Sequence, residues 1–278
     1  MIWPPGADMV SPAYELTELV QGYPGRSVHH GYLGWSTVSL LRSGQRVILV
    51  DTGSFGMRAV LAHRLEKVGV RPSQVTDILL THAHYDHAAN YLLFPSATVW
   101  ISDRELAWAN GKSPEFDPLP ELYAQDLVRN RRVHSIDTSE RSPSEVLPGI
   151  YAILADGHTP GSMIYHAVSE QSPMLFTGDA VKNRAELSSH SADRTLDADA
   201  STRTIELVHD LWESLPNALL VPGHDLPMRW DAQTRTSRHV GERKAAVQAW
   251  LDTSPDSVTT FDLAGLPVND DATHPPGG

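Results

Sequence analysis

The chain has 278 residues, of which 41% are apolar and 20% charged, enough to bury a sizeable core in one large domain or two small ones. Its net charge of −12 opposes non-specific attachment to nucleic acid or anionic lipid. Cysteine is absent, which excludes disulfides, thiolate metal ligands and a thiol nucleophile.

Residues 1 to 31 carry turn signals at Pro4-Pro5-Gly6 and Tyr23-Pro24-Gly25. Met1 to Gly6 offers neither the basic start nor the apolar core of a signal peptide, and no run approaches the roughly 18 apolar residues of a membrane span, so a cytoplasmic protein is expected. His29-His30 follows, an adjacent pair expected to be solvated. Trp35 to Leu41 and Arg46 to Val50, joined by Ser43-Gly44-Gln45, predict a hairpin. It delivers Val50-Asp51-Thr52-Gly53, where Asp51 either fixes a turn and orients ligands or acts in catalysis; the supporting role is favoured. Val60, Leu61, Leu65 and Val68 at helical spacing predict an amphipathic helix from Met57 to Val68, closed by Gly69.

The apolar run Val75 to Leu80 predicts a buried strand, and directly after it stands Thr81-His82-Ala83-His84-Tyr85-Asp86-His87. Three imidazoles and a carboxylate at a strand's carboxyl end are a ligand set suited to zinc. A short helix from Ala88 to Leu93, a strand at Thr98 to Ile101, a helix start at Ser102-Asp103-Arg104-Glu105, a Pro-rich loop at 110–120 and a helix from Glu121 to Arg129 follow. Arg129, Arg131 and Arg132 form the one basic cluster, expected to be a solvated helix end.

Further strands are predicted at Ile150 to Leu154, Met163 to Val168, Met174 to Thr177 and Ala218 to Val221. The first delivers Gly157-His158-Thr159-Pro160-Gly161-Ser162, the third Gly178-Asp179, and the last Pro222-Gly223-His224. A loop or lid is expected over residues 183–203, a helix from Thr204 to Leu215, mostly helix from Trp230 to Leu251, and a loosely held tail from Ser254. One domain is expected over residues 1–278, with its core at about 35–252 and both ends peripheral. His82, His84, Asp86, His87, His158, Asp179 and His224 together suffice for two metal sites with room for water, one carboxylate bridging the pair.

Thr-His-Ala-His-Tyr-Asp-His, Gly-His-Thr-Pro-Gly-Ser, Phe-Thr-Gly-Asp and Val-Pro-Gly-His resemble the metal motifs of the metallo-β-lactamase superfamily, over about Val38 to Pro227. The resemblance implies an α/β protein, an αβ/βα four-layer sandwich of two mixed β-sheets flanked by helices. It also implies two zinc ions, with Fe, Mn or Co as alternatives: His82, His84 and His158 on one, Asp86, His87 and His224 on the other, Asp179 bridging. A bridging Asp is similar to the glyoxalase II, lactonase and phosphodiesterase members. His84 stands where flavodiiron oxidoreductases carry Glu, and Lys182 where homoserine lactone lactonases carry Tyr. Asn90-Tyr91-Leu92-Leu93-Phe94-Pro95 resembles a stretch of human metallo-β-lactamase-domain proteins.

The expected reaction is hydrolysis of a small carboxylic ester, lactone or amide by a zinc-bridging hydroxide. Asp86 and Asp179 would be the catalytic carboxylates, and Lys182 or His190 a source of positive charge or acid. The alternatives are a phosphodiesterase or nuclease on the same site, and a non-catalytic metal-binding module. The expected partner is a small molecule, not a membrane or nucleic acid.

Overall fold

A computed structural model describes residues 13–111, 121–169 and 172–265. Thirteen of its strands build two sheets. The first runs in chain order, β1 (Glu15–Val20), β2 (Val38–Ser43), β3 (Arg46–Val50), β4 (Asp77–Leu79), β5 (Thr98–Ser102) and β6 (Val133–Ile136). Its β1, β2 and β3 are antiparallel, while β3 to β6 are parallel. The second holds β7 (Ser144–Leu147), β8 (Ile150–Leu154), β9 (Met163–Ala167), β10 (Met174–Gly178), β11 (Leu219–Pro222), β12 (Met228–Asp231) and β13 (Thr236–His239), again side by side in chain order. There only β10 and β11 are parallel. Both sheets are therefore mixed.

Period-two alternation sorts the side chains into layers. Ile48, Val50 and Leu79 of the first sheet share a core with Ile150, Ala152, Leu154, Tyr165, Phe176 and Val221 of the second. Their neighbours point the other way. Leu40, Leu49 and Ile78 pack with Leu61 and Leu65 of helix α1 (Arg58–Lys67), and with Tyr123 and Leu127 of a later helix, Glu121–Arg129. On the far side, Ile153, Ile164, Leu175 and Leu220 meet Ile205, Val208 and the fully buried Trp212 of the helix Ala198–Ser214. Three cores between four layers make the αβ/βα sandwich that the motifs imply.

The remaining helices are α2 (Tyr85–Ala88), α3 (Asp103–Asn110) and α4, the helix Glu121–Arg129 just met, with α5 (Arg184–Ser189) and α6 at Ala198–Ser214. Parallel strands β3 and β4 end at one edge of their sheet, carrying Asp51 and the His82–His87 segment. In the other sheet β8, β10 and β11 run in one direction and end with His158, Asp179 and His224 beyond them.

Several segments depart from the sequence-based expectations. The predicted helix over Trp230 to Leu251 is instead β12, β13 and a further strand at Ala246–Ala249. Asp231 Oδ1 accepts the N–H groups of Gln233 and Thr234, which turns the chain and starts an edge hairpin against the helical tendency of the neighbouring Ala, Gln and Arg. Residues 183–203 are not a bare loop: Asn183 caps α5 and Asp197 caps α6, each accepting from the first-turn N–H groups. The expected helix at Ala88–Leu93 breaks into α2 and a 3-10 turn at Tyr91–Leu93. Strand β1 brings part of the expected peripheral N-terminal segment into the first sheet. The chain divides into two compact units, residues 1–241 and 242–278. The second contains a hairpin of Ala246–Ala249 with Thr259–Asp262. Most of the predicted 110–120 loop, and the end of the tail from residue 266, lie outside the described residues.

Candidate metal centre

After β4 the chain bends at Thr81 and is extended again at His84, and His82 and His84 both bring a ring nitrogen into one cluster. One turn of helix then follows, and α2 swings Asp86 and His87 toward the same space. All seven predicted ligand residues come together there. Three ligand triplets have donor atoms within 4.8 Å of one another: His82, His84 and His158; His82, His87 and Asp179; and Asp86, His87 and His224. His84 Nδ1 is 2.9 Å from both His82 Nε2 and His158 Nε2. His224 Nε2 lies 3.4 Å from Asp86 Oδ2 and 3.2 Å from Asp179 Oδ1. Asp179 reaches both halves, with Oδ2 3.3 Å from His158 Nε2 and Oδ1 3.1 Å from His87 Nε2.

Hydrogen bonds on the outer side fix the ring tautomers. Thr81 spends its one hydroxyl proton on Asp51 Oδ2 at 2.8 Å, so toward His82 Nδ1 at 3.1 Å it acts as acceptor. His87 donates from Nδ1 to Asp51 Oδ2 at 2.7 Å, and His158 from Nδ1 to the Arg194 carbonyl at 3.1 Å. The Nε2 atoms of His82, His87 and His158 therefore face inward, and in the neutral rings each presents a lone pair there. Asp179 Oδ1, buried between two imidazoles, receives no hydrogen bond. Converging lone pairs around an unpaired buried carboxylate oxygen are the arrangement a cation satisfies. The donor set, imidazole and carboxylate, fits a borderline divalent ion.

The charges agree. Burial and the neighbouring imidazoles hold His82 well below the usual histidine range, and burial does the same to His158. Burial opposes protonation of His87 as well, yet Asp179, Asp86 and Asp51 raise it well above that range. Burial works against ionisation of Asp179, and His224, His87 and His158 overcome it. Positive charge on His87 and His224 offsets the Asp179 carboxylate, a task a bound cation would take over.

Close approach constrains the backbone. Gly178 adopts φ +49°, and a Cβ there would lie 2.4 Å from Thr81 Oγ1. Asn90, fully buried, spreads its amide over the carbonyls of Thr52, Gly53 and Ser54 and accepts from Arg58, which gives the Asn-x-x-x-Phe-Pro stretch a structural task. A cavity of about 490 Å³ opens over the cluster, lined among others by Tyr23, Arg26, Tyr85, Lys182, Arg194 and Leu196.

Other sequence candidates lie differently. Asp51 takes the supporting position, gripping His87 directly and His82 through Thr81. Lys182 lines the cavity, its Nζ on Glu186 Oε1 at 2.9 Å and the Asp193 carbonyl at 2.7 Å. His190 lines a separate cavity and stacks on His209 with ring centroids 4.7 Å apart. His29 and His30 are exposed. Arg132 bonds the carbonyls of Phe94 and Ala97. Glu105, read from sequence only as a helix-start acid, is fully buried beside the cluster; burial pushes its carboxyl up to about 7 against the bonds from Ala83, Thr159 and Gly161.

The model of the metallo-β-lactamase superfamily matches residues 32–224. The chain belongs to that superfamily. As a metallo-β-lactamase relative it is 31% identical, over 156 residues, to a probable metallo-hydrolase of Methanocaldococcus jannaschii, a match covering 55% of this chain and 70% of that protein. It is 41% identical over 69 residues to the mouse metallo-β-lactamase domain-containing protein 1, spanning 25% of this chain and only 26% of that protein. Among solved structures, a probable metal-dependent hydrolase from Staphylococcus aureus superposes with TM-score 0.68 at 15% identity, over 85% of this chain and 100% of that one. AidC, a dizinc quorum-quenching lactonase, superposes with TM-score 0.60 at 20% identity, over 84% and 93%. At these identities the structural likeness concerns the fold. Family and relatives together make this chain a metallo-hydrolase.

Proposed function

We propose that the protein hydrolyses a small carboxylic ester, lactone or amide with two zinc ions. His82, His84 and His158 would hold one ion, Asp86, His87 and His224 the other, with Asp179 shared. The observation that carries this reading is the convergence of seven imidazole and carboxylate groups in three triplets, with Asp179 reaching both His158 and the His87–His224 pair. When bound, the ions supply Lewis acidity that makes water nucleophilic near neutral pH and stabilises negative charge on the attacked group.

The chain's own residues do the rest. Asp86 lines the cavity beside His224, a carboxylate suited to orient the attacking water and carry a proton to the leaving group. Lys182 sets a fixed positive charge at the cavity wall, where an oxyanion develops. Tyr23, Tyr85 and Leu196 give the cavity apolar surface for a small substrate and exclude water around it.

A phosphodiester is the second reading, favoured by Arg194 on the cavity wall, with Arg26 and Lys182 beside it engaged by Asp193 and Glu186. Turnover of a panel of lactones, thioesters, aryl esters and bis-p-nitrophenyl phosphate by zinc-loaded protein separates the two. Two bound zinc ions with no turnover anywhere on the panel would leave only a metal-binding module.

A further inference from the structure

We infer that Glu105 is a positioning residue that sets the affinity of one metal site, by bolting the loop of His82 and His84 to the loop of His158. The inference rests on the ligand assignment proposed above. Glu105 is fully buried, and neither of its carboxylate oxygens meets a cationic side chain among the described residues. Instead Oε1 accepts the Ala83 N–H at 2.8 Å, while Oε2 accepts the Thr159 hydroxyl at 2.7 Å and the Gly161 N–H at 3.1 Å. Ala83 is the residue between His82 and His84, and Thr159 follows His158. One carboxylate thus spans the two backbone segments that carry all three ligands of the first triplet. It bonds no ligand side chain directly, and of the second triplet Asp86 and His87 lie three and four residues beyond Ala83 while His224 is on a loop it does not reach.

The surroundings show that the strut is built for this. Ala83 is gripped at both ends, its N–H by Glu105 and its carbonyl by the Tyr123 hydroxyl of α4. Ser102, which caps α3, donates to the Gly161 carbonyl at 2.6 Å, so α3 holds both faces of that residue. A Cβ on Gly161 would sit 2.2 Å from Glu105 N, so the contact requires glycine. The group must also be a carboxylate. Donors approach both oxygens, and a glutamine would turn an NH₂ against Ala83 N–H on one side or against Thr159 and Gly161 on the other. Buried without a counter-ion, Glu105 costs desolvation energy that a purely structural position would avoid with an apolar side chain.

The test is Glu105→Gln, with zinc affinities of both sites measured on metal-stripped protein by competition with a chromophoric chelator, and Tm followed alongside. We expect one of two zinc ions to bind about 10- to 100-fold more weakly and the other at wild-type affinity, with kcat recovering as zinc is raised. Thr159→Val removes one of the three bonds and should weaken the same ion by a smaller factor, while Thr159→Ser restores it; this pair decides the matter if Glu105→Gln does not fold. A lower Tm with both affinities unchanged, or equal weakening of both sites, overturns the inference. Wild-type protein that binds less than one zinc instead overturns the ligand assignment on which it rests.

Discussion

His87 gives its Nδ1 proton to Asp51 across 2.7 Å, with both groups shut off from water. The same carboxylate takes the Thr81 hydroxyl proton, so it settles the tautomer of two rings at once. Asp51 has φ +57°, a conformation asparagine tolerates better than alanine, so Asp51→Asn tests the hydrogen bonding with little backbone strain. An amide cannot accept from Thr81 N, Thr81 Oγ1 and His87 Nδ1 together. We expect zinc affinity to fall about 10- to 100-fold with folding retained, measured by chelator competition and circular dichroism. Wild-type affinity would refute the orienting role.

His84→Ala and Asp179→Ala should each abolish turnover and lower zinc content, read by elemental analysis of the reconstituted protein. His190→Ala is the control. Its ring lies in another cavity against His209, so zinc content and activity should match wild type. Full activity in His84→Ala would remove that residue from the ligand set.

Two cations of the cavity wall should separate kinetically. Lys182→Met removes the charge proposed to face the developing oxyanion, and kcat should drop by about a hundredfold with a smaller change in KM. Arg194 is exposed and forms no side-chain ion pair among the described residues. Arg194→Ala should cost about fivefold in kcat/KM for an anionic substrate, the worth of an exposed charge contact near 1 kcal/mol, and nothing for a neutral lactone. Equal losses on both substrates would mean that Arg194 shapes the cavity without reading charge.

Stability should depend on pH through a histidine outside the site. His166, buried in β9, is pushed by burial down to about 4. The unfolded chain titrates near 6.5, so between those values it binds more protons than the folded one. Stability present above pH 6.5 or so is then lost as pH falls through that window. Between about pH 7.5 and about pH 5 this amounts to about 2 kcal/mol from His166 alone. Urea midpoints of wild type and His166→Leu at the two pH values check it; an identical acid-side loss in both proteins would rule it out.

The clustering of the seven candidate ligands was legible in the sequence because each member follows a strand end, and strand ends of one direction gather at one edge of their sheet. Asp51 was legible for the same reason, though its grip on His82 through Thr81 needed coordinates. Glu105 was hidden: Ser102-x-x-Glu105 reads locally as a helix start, and its true partners lie at positions 83, 159 and 161. The strands from Met228 onward were obscured because Ala, Gln, Lys and Arg favour helix locally, while the Asp231 turn and edge pairing act against them. Strand β1 was masked by flanking proline and glycine, since its partner β2 lies beyond the intervening turn region.

The seven clustered residues divide between the two sheets: His82, His84, Asp86 and His87 follow the first, His158, Asp179 and His224 the second. Ions held by all of them would clasp one half of the sandwich to the other, and ligands that bind only the native state raise its stability in proportion to the logarithm of their free concentration. The lifetime of this chain, and not only its turnover, would then follow metal supply. Under the proposed ligand set, metal scarcity would shorten the life of the folded chain as well as stop its turnover.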